Sequence, residues 1–406
     1  MKRRDVLVGG ALAGGVLAMG RGLGRAQTDA LSQAEFDDWV AAVRPRAMGE
    51  GVAGSAWDLA LQGLTPDPVV IARRATAAET NRTITDYVLS LLNGRGRKAR
   101  DKYASLPQLA QIEQRYGVPG GPLVAFWGME SDYGANIGDR DVLRATATHG
   151  AAGTGGPDWS EEFIAALKIL QSGVIERTRL IGSYAGAIGQ TQLMPTNYLK
   201  YGVDFDGDGR VDVWTQPLDA LASTAVHLNK ATGWKRNEGW LEEVALPPGF
   251  DLARTEVEVT ALSPAGWEAL GVRRPSGAAW TSEERSETAR LMLPAGVAGP
   301  AFLALPNYSA FEDYNPSLPY AVGVCLLAKF AAGHEAIWKP WPPEPALSRE
   351  TRMAAQGGLA RLGYYDGKID GDLGKRSRQA LRTWQLSVRR PRDGHLTAEQ
   401  ALALST

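Results

Sequence analysis

Residues 338–345 read Trp-Lys-Pro-Trp-Pro-Pro-Glu-Pro, and no regular element can run through them. Proline fixes φ at about −65° and removes a backbone donor, so a helix cannot continue there and an inner strand cannot pair. The segment should run extended as a stiff connection. It divides the chain into a long part, 27–337, and a short part, 349–406, with 338–348 as the linker. The short part has its own periodicity at Leu359, Leu362, Ala380, Leu381, Trp384 and Leu402, enough for a small three-helix unit. A chain of 406 residues is long enough for each part to bury a core.

Composition excludes several classes. Apolar residues at 44% and charged residues at 22% are those of ordinary globular protein, without the bias of disorder, collagen or a coiled coil. Lys+Arg at 44 against Asp+Glu at 45 leaves a net charge of -1, so no global field draws the chain to nucleic acid or an anionic membrane. Cys325 is the single cysteine, which excludes an intrachain disulfide and a cysteine-rich metal site. Its apolar surroundings, Tyr320-Ala-Val-Gly-Val-Cys-Leu-Leu, predict a buried core residue.

The first 26 residues have a basic start, a glycine-rich apolar middle to Met19 and a small-residue end at Ala26, the pattern of a signal peptide. The adjacent Arg3 and Arg4 resemble a twin-arginine export signal, with Val6 where that pattern carries Phe. The apolar run is shorter than the roughly 20 residues of a membrane span. A periplasmic location and no stable membrane span are therefore expected.

Helical periodicity opens the mature chain at Phe36, Trp39, Val40 and Val43, and helices are expected over 106–116, 121–130, 160–172 and 318–330. Residues 159–163 read as a capped helix start. Short runs at 256–260, 290–292 and 301–305, separated by Gly and Pro, predict a small sheet inserted in this helical body.

Three segments carry chemistry. In Phe126-Trp-Gly-Met-Glu130-Ser-Asp-Tyr-Gly134 an ionisable residue ends an apolar helix, where desolvation would raise its pKa toward that of a general acid. On these residues alone a helix-end glutamate in water is the plainer reading. In Gly182-Ser-Tyr-Ala-Gly-Ala-Ile-Gly-Gln-Thr-Gln192 small residues let a backbone approach closely, while Ser183, Tyr184, Gln190 and Gln192 offer directional polar groups. Tight helix packing is the alternative there. In Asp204-Phe-Asp206-Gly-Asp208-Gly-Arg210-Val-Asp212 acidic residues at positions 1, 3, 5 and 9 with Gly at 6 match an EF-hand loop, although Thr215 stands where the closing Glu belongs. Asp204, Asp206, Asp208, Arg210 and Asp212 are the expected calcium set, against a plain Asp/Gly turn.

The first two segments, in order and spacing, resemble the lysozyme-like lytic transglycosylases, specifically the lytic murein transglycosylase B family, over about 33–330. The resemblance implies a mainly α (α+β) fold, lysozyme-like with a small β insertion, and Glu130 as sole catalytic carboxylate. It implies that Ser183 and Gln192 line the cleft. Tyr314-Asn315-Pro-Ser-Leu-Pro-Tyr320-Ala resembles a further family segment, which makes Tyr314, Asn315 and Tyr320 substrate contacts beside Tyr184. In the family a longer metal loop closes on an Asp after Trp-x-x-Pro, which is Asp219 here. Residues 363–385, with their Asp-Gly-x-x-Gly turn, resemble a C-terminal peptidoglycan-binding domain. Two departures stand out: residues 148–156 are glycine-rich where relatives are apolar and helical, and His227 occupies the position of a cleft aromatic.

The resemblance also implies a route that needs one carboxylate where ordinary glycosidases use two. Asp132, two positions from Glu130, does not share its helical face. Glu130 would protonate the MurNAc-GlcNAc glycosidic oxygen, the 2-acetamido carbonyl would attack C1, and the C6 hydroxyl would close a 1,6-anhydro ring. The expected partner is the peptidoglycan glycan strand, and calcium, if bound, is structural with no cofactor needed for chemistry. A muramidase that admits water and a non-catalytic wall-binding protein are the alternatives.

Overall fold

Ser32 and Glu35 cap each other's backbone in a capping box, and this starts the helix Gln33–Gly49, whose Phe36, Val40, Val43 and Ala47 turn inward. The computed structural model describes residues 31–75, 82–252, 259–334 and 337–406. The expected signal peptide and most of the run 256–260 lie outside them. Contacts divide the described chain into two compact units.

The first unit holds the described residues before Ala78 together with Asp101–Gly233 and Glu312–Ser317. Its core gathers Phe36, Val40, Trp57, Phe163, Leu167 and Trp214. Phe163 lies 5.8 Å from the Trp39 ring and 6.1 Å from the Trp57 ring, edge to face in both cases. Removing that ring would cost about 3–5 kcal/mol. The helix Trp159–Gln171 that carries it starts on Asp158, whose carboxylate accepts from the Ser160 and Glu161 amides. The helix Gly120–Ser131 is apolar on every side and buried from Gly120 to Gly128, as a central helix must be. A two-stranded ribbon, β1 (Arg140–Asp141) against β2 (Ile181–Gly182), ties the helix Val142–Ala151 to the glycine-rich segment that continues from β2.

The second unit holds the described residues of Glu79–Arg100 together with Trp234–Phe311 and Leu318–Thr406. Its sheet has four antiparallel strands, β3 (Leu241–Val244), β4 (Ala261–Leu262), β5 (Ala289–Met292) and β6 (Ala301–Ala304), in the order β3-β6-β5-β4. Leu241 pairs with Ala304 and Met292 with Phe302. The inward residues Trp267, Leu291 and Leu303 form its core, and the Trp267 indole donates to the Ala289 carbonyl at 3.0 Å. Cys325 is buried in the helix Leu318–Ala331, as expected.

Helices Arg349–Arg361, Lys375–Ser387 and Ala398–Ser405 close over Leu359, Leu381, Trp384 and Leu404. Gln356, fully buried, receives the Asp370 and Gly371 amides at 3.0 and 2.7 Å and so fixes the Asp-Gly turn. The proline segment is extended, but it is no free tether. Trp341 is buried 6.2 Å from the Phe302 ring, and Glu243 accepts from the Trp338 and Lys339 amides at 2.7 Å each. The compact units accordingly do not break at the prolines.

Candidate active site

Glu130 sits in the last turn of the helix Gly120–Ser131, half-buried. Beyond that turn the backbone makes a strained reversal: Asp132, Tyr133 and Gly134 are all left-handed, with φ of 51°, 62° and 82°. Two side-chain-bearing residues in that region cost about 1–3 kcal/mol each and persist only where surroundings fix them. Here they are fixed. The Asp132 amide donates to Gly128 and the Tyr133 amide to Trp127, each at 3.2 Å. A Cβ on Gly128 would lie 2.4 Å from the Tyr133 ring, so only glycine lets that ring fold back.

A second segment grips this reversal. Gln190 Oε1 accepts from the Trp127 indole at 2.8 Å, and its carbonyl accepts from the Ser131 hydroxyl. That hydroxyl in turn accepts from the Gly134 amide at 2.8 Å. Lys102 lies over the Trp127 ring at 5.2 Å. The residues flanking Gln190 are held by backbone. The Ser183 amide donates to the Ala187 carbonyl at 2.8 Å, its carbonyl accepts from the Gly186 amide at 3.0 Å, and its Oγ accepts from the Ala187 amide at 3.2 Å. Gln192, left-handed at φ 52°, donates through Nε2 to the Ile137 and Gly189 carbonyls at 3.0 and 2.9 Å. Ser183 and Gln192 therefore shape the segment, and Tyr184 stands half-exposed on it.

Tyr314 joins the same place. Its hydroxyl donates to the Thr191 carbonyl, and its ring lies 4.3 Å from Phe126. Burial, and then the Glu130 charge, hold its phenol well above the usual range, which puts Glu130 within electrostatic reach of it. Asn315 is buried with Oδ1 accepting from the Ser317 amide at 3.0 Å. Tyr320 is buried at the start of the helix Leu318–Ala331, which belongs to the second unit.

Two histidines complete the surroundings. His227 is buried between Tyr201 at 5.2 Å and Tyr314 at 5.8 Å, with neither ring nitrogen hydrogen-bonded among the described residues. Burial, with Lys200 nearby, pushes its pKa down to about 4. His149 stacks on Trp159 at 4.2 Å, and its Nε2 lies 3.1 Å from the Tyr184 carbonyl. The glycine-rich stretch thus ends a helix and buttresses Tyr184. Only its unusual composition marked it in the sequence.

The acidic loop brings carboxylate oxygens of Asp204, Asp206 and Asp219 within 4.8 Å of one another. Asp208 Oδ1 accepts from the Arg210 amide at 2.8 Å and Asp212 from the Trp214 and Thr215 amides, as Asp204 accepts from Gly207 and Gly209 and Asp206 from Asp208. Amides thus bond along the whole loop, while Asp208, Arg210 and Asp212 lie outside the convergent set. Asp219 is buried and accepts from the Phe205 and Asp212 amides at 2.8 Å each. Burial raises its pKa. Three convergent hard oxygen donors, one of them buried, suit calcium.

The model of the transglycosylase SLT domain matches residues 35–329. The chain belongs to the SLT transglycosylase family. A peptidoglycan binding domain matches 348–404, where the three-helix unit lies. Among similar solved structures is SltB3 from Pseudomonas aeruginosa in complex with NAG-anhNAM-pentapeptide. It is 39% identical with a TM-score of 0.83, covering 91% of this chain and 99% of that one. Soluble lytic transglycosylase SltB1 of the same organism is 26% identical with a TM-score of 0.60, over 73% of this chain and 98% of that one. Membrane-bound lytic murein transglycosylase B of Escherichia coli (strain K12) is 31% identical over 228 residues, 54% of this chain and 58% of that protein. The chain thus spans under two thirds of that curated relative's length. The mainly helical SLT fold with small sheets and a helical C-terminal domain is as the sequence led us to expect. Among the described residues no helix is long and apolar enough to cross a membrane.

Proposed function

We propose that this chain cleaves the β-1,4 bond between N-acetylmuramic acid and N-acetylglucosamine in peptidoglycan and leaves 1,6-anhydro-muramic ends. The observation that carries this reading is the likeness, over 91% of the chain, to a SltB3 structure in complex with NAG-anhNAM-pentapeptide. The geometry agrees with it. Glu130 is held in a rigid reversal beside buried Tyr314, while Asp132 leaves the helix in a left-handed conformation and is no opposing partner.

Protonated Glu130 gives its proton to the glycosidic oxygen as the bond to C1 breaks, and the muramic acetamido oxygen bonds to C1. The carboxylate then takes the proton of the C6 hydroxyl, O6 bonds to C1, and the acetamido oxygen leaves. Glu130 ends protonated and no water is consumed. The C6 hydroxyl is already held in the substrate, which favours it over a recruited water. Ser183, Tyr184, Tyr314 and Asn315 are assigned to holding the sugars, and Gln192 to shaping their wall.

Glu130→Gln should abolish cleavage of purified sacculi with the fold intact, because an amide cannot deliver the proton. Products of the native protein should be about one water mass lighter than muramidase products and resist borohydride. Mostly reducible ends would make it a hydrolase, and retained turnover in Glu130→Gln would move the acid elsewhere.

The N-terminal pattern supports export to the periplasm, by the twin-arginine route, where this substrate lies. Asp204, Asp206 and Asp219 would hold a structural calcium ion that takes no part in the chemistry.

A further inference from the structure

Strand β3 and the loop after it, the proline segment, and the turn after the helix Lys375–Ser387 enclose a groove of about 1000 Å³. All of it lies within the second unit, remote in sequence from Glu130. Its floor is apolar, with Leu252 and Leu293 buried there. Its rim exposes Trp338 and Leu386, at 57% and 48%. Large apolar side chains left open around a concave surface mark a binding site more often than chance exposure.

The charge on this groove is one-sided. Lys339, Arg389, Arg390 and Arg392 line it, against Glu243 and Asp251. Glu243 does not offset them freely, because both its oxygens accept from the Trp338 and Lys339 amides. Arg390 is paired with Glu399, and Lys339 Nζ donates to the Val297 carbonyl at 2.7 Å. Arg392 Nε is buried without a hydrogen-bond partner among the described residues. Such a donor is costly until an acceptor reaches it. Arg389, exposed at the turn with a left-handed φ of 56°, is presented on the same rim.

We propose that this groove binds the acidic peptide stems of peptidoglycan, a role that rests on the wall being the substrate. An occupant must bring carboxylates to the arginines and small apolar groups to the floor. Glycan strands do not fit, since their acetylated sugars are uncharged once the lactyl carboxyl is joined to peptide. The stems carry free carboxylates beside alanine methyls. Guanidinium groups bind carboxylates through two parallel hydrogen bonds, while Trp338 and Leu386 offer apolar cover. The C-terminal domain would thus recognise the wall through a surface shared with the sheet and the proline segment.

The test uses full-length Glu130→Gln protein, so that nothing is consumed, titrated with the free pentapeptide L-Ala-γ-D-Glu-diaminopimelyl-D-Ala-D-Ala by calorimetry. Replacing Arg389 and Arg392 together by Ala should weaken binding about ten-fold or more, and Trp338→Ala should weaken it several-fold. Arg389→Lys with Arg392→Lys should recover part of the affinity lost in the alanine variant, since the charge returns without the two-bond geometry, and this separates lost charge from lost fold. A pentapeptide with amidated carboxylates should bind as poorly as the alanine variant allows, and an uncharged N-acetylglucosamine oligosaccharide should not compete. Equal affinity in native and alanine grooves, equal affinity for the amidated peptide, or displacement by the uncharged oligosaccharide would each overturn the proposal. Groove variants with Glu130 restored should cleave peptide-free strands at the native rate. Absence of cleavage in the native protein itself would strike the transglycosylase reading and leave a peptide-binding groove standing.

Discussion

Trp127 donates its indole N–H to Gln190 Oε1 across 2.8 Å, joining the helix that carries Glu130 in its last turn to a residue 63 positions away. The same glutamine accepts the Ser131 hydroxyl at its carbonyl, and its side chain packs where a Cβ on Gly134 would stand. One residue therefore spans both sides of the strained reversal. A reversal of this kind relaxes when its braces are removed, and a carboxyl displaced by about 1 Å loses much of its rate.

Gln190→Leu should leave the Trp127 donor buried and unpaired, at a cost of about 1–3 kcal/mol. Turnover on sacculi should fall more than ten-fold with little change in the substrate concentration at half rate, because the acid is misplaced while the cleft remains. Gln190→Glu, which keeps the acceptor, should recover much of the loss. Unchanged turnover in Gln190→Leu would show that the reversal holds itself.

Much of this was legible in the sequence because it rests on local chemistry. The apolar run into Glu130, the capped start near Trp159 and the helix-breaking prolines each arise from neighbouring residues. What was not legible depends on residues far apart. Gln190 was visible only as one polar group among several, and its partner Trp127 could not be paired with it by spacing. Strand β3 went unnoticed because Glu242 and Glu243 interrupt its apolar pattern, yet Lys329 pairs with Glu242 and two linker amides satisfy Glu243. The acidic loop looked like six ligands. Backbone amides bond to the Asp204, Asp206, Asp208, Asp212 and Asp219 carboxylates alike, and it is their placement along the folded loop, which spacing alone does not show, that brings only Asp204, Asp206 and Asp219 together.

Calcium should raise the melting temperature of the full chain, since a ligand that binds only the folded state stabilises it by mass action. Asp219→Asn should abolish that gain, because Asp219 is the buried member of the cluster. Asp208→Ala should retain a good part of it. A melting curve indifferent to both calcium and chelator would remove the metal from the loop.

His227 gives stability a pH dependence of definite sign. Its folded pKa of about 4 lies below the ordinary 6.5, so the unfolded chain binds this proton first as pH falls. The full contribution is present above about pH 6.5. It is lost as pH falls through about 4, by on the order of 3 kcal/mol. His227→Phe keeps a ring between Tyr201 and Tyr314, removes two unpaired nitrogens and should flatten the acid limb of a plot of denaturant midpoint against pH. If the variant and native curves stay parallel from pH 7 to pH 4, His227 is not the group responsible.

The proline segment offers a test of whether it is packed or merely connects. Trp341 is buried against Phe302, while its indole N–H has no hydrogen-bond partner among the described residues. The Thr85 hydroxyl donates to the Pro342 carbonyl at 3.0 Å, so the chain on either side is fixed as well. Trp341→Ala should then cost about 3–5 kcal/mol, as for any buried aromatic. Trp341→Phe keeps the ring contact and deletes the unpaired donor, and its cost should fall below about 1.5 kcal/mol. Chemical denaturation of the two variants distinguishes the cases. A free tether would make both substitutions silent, whereas a packed strap makes the alanine variant severe and the phenylalanine variant mild.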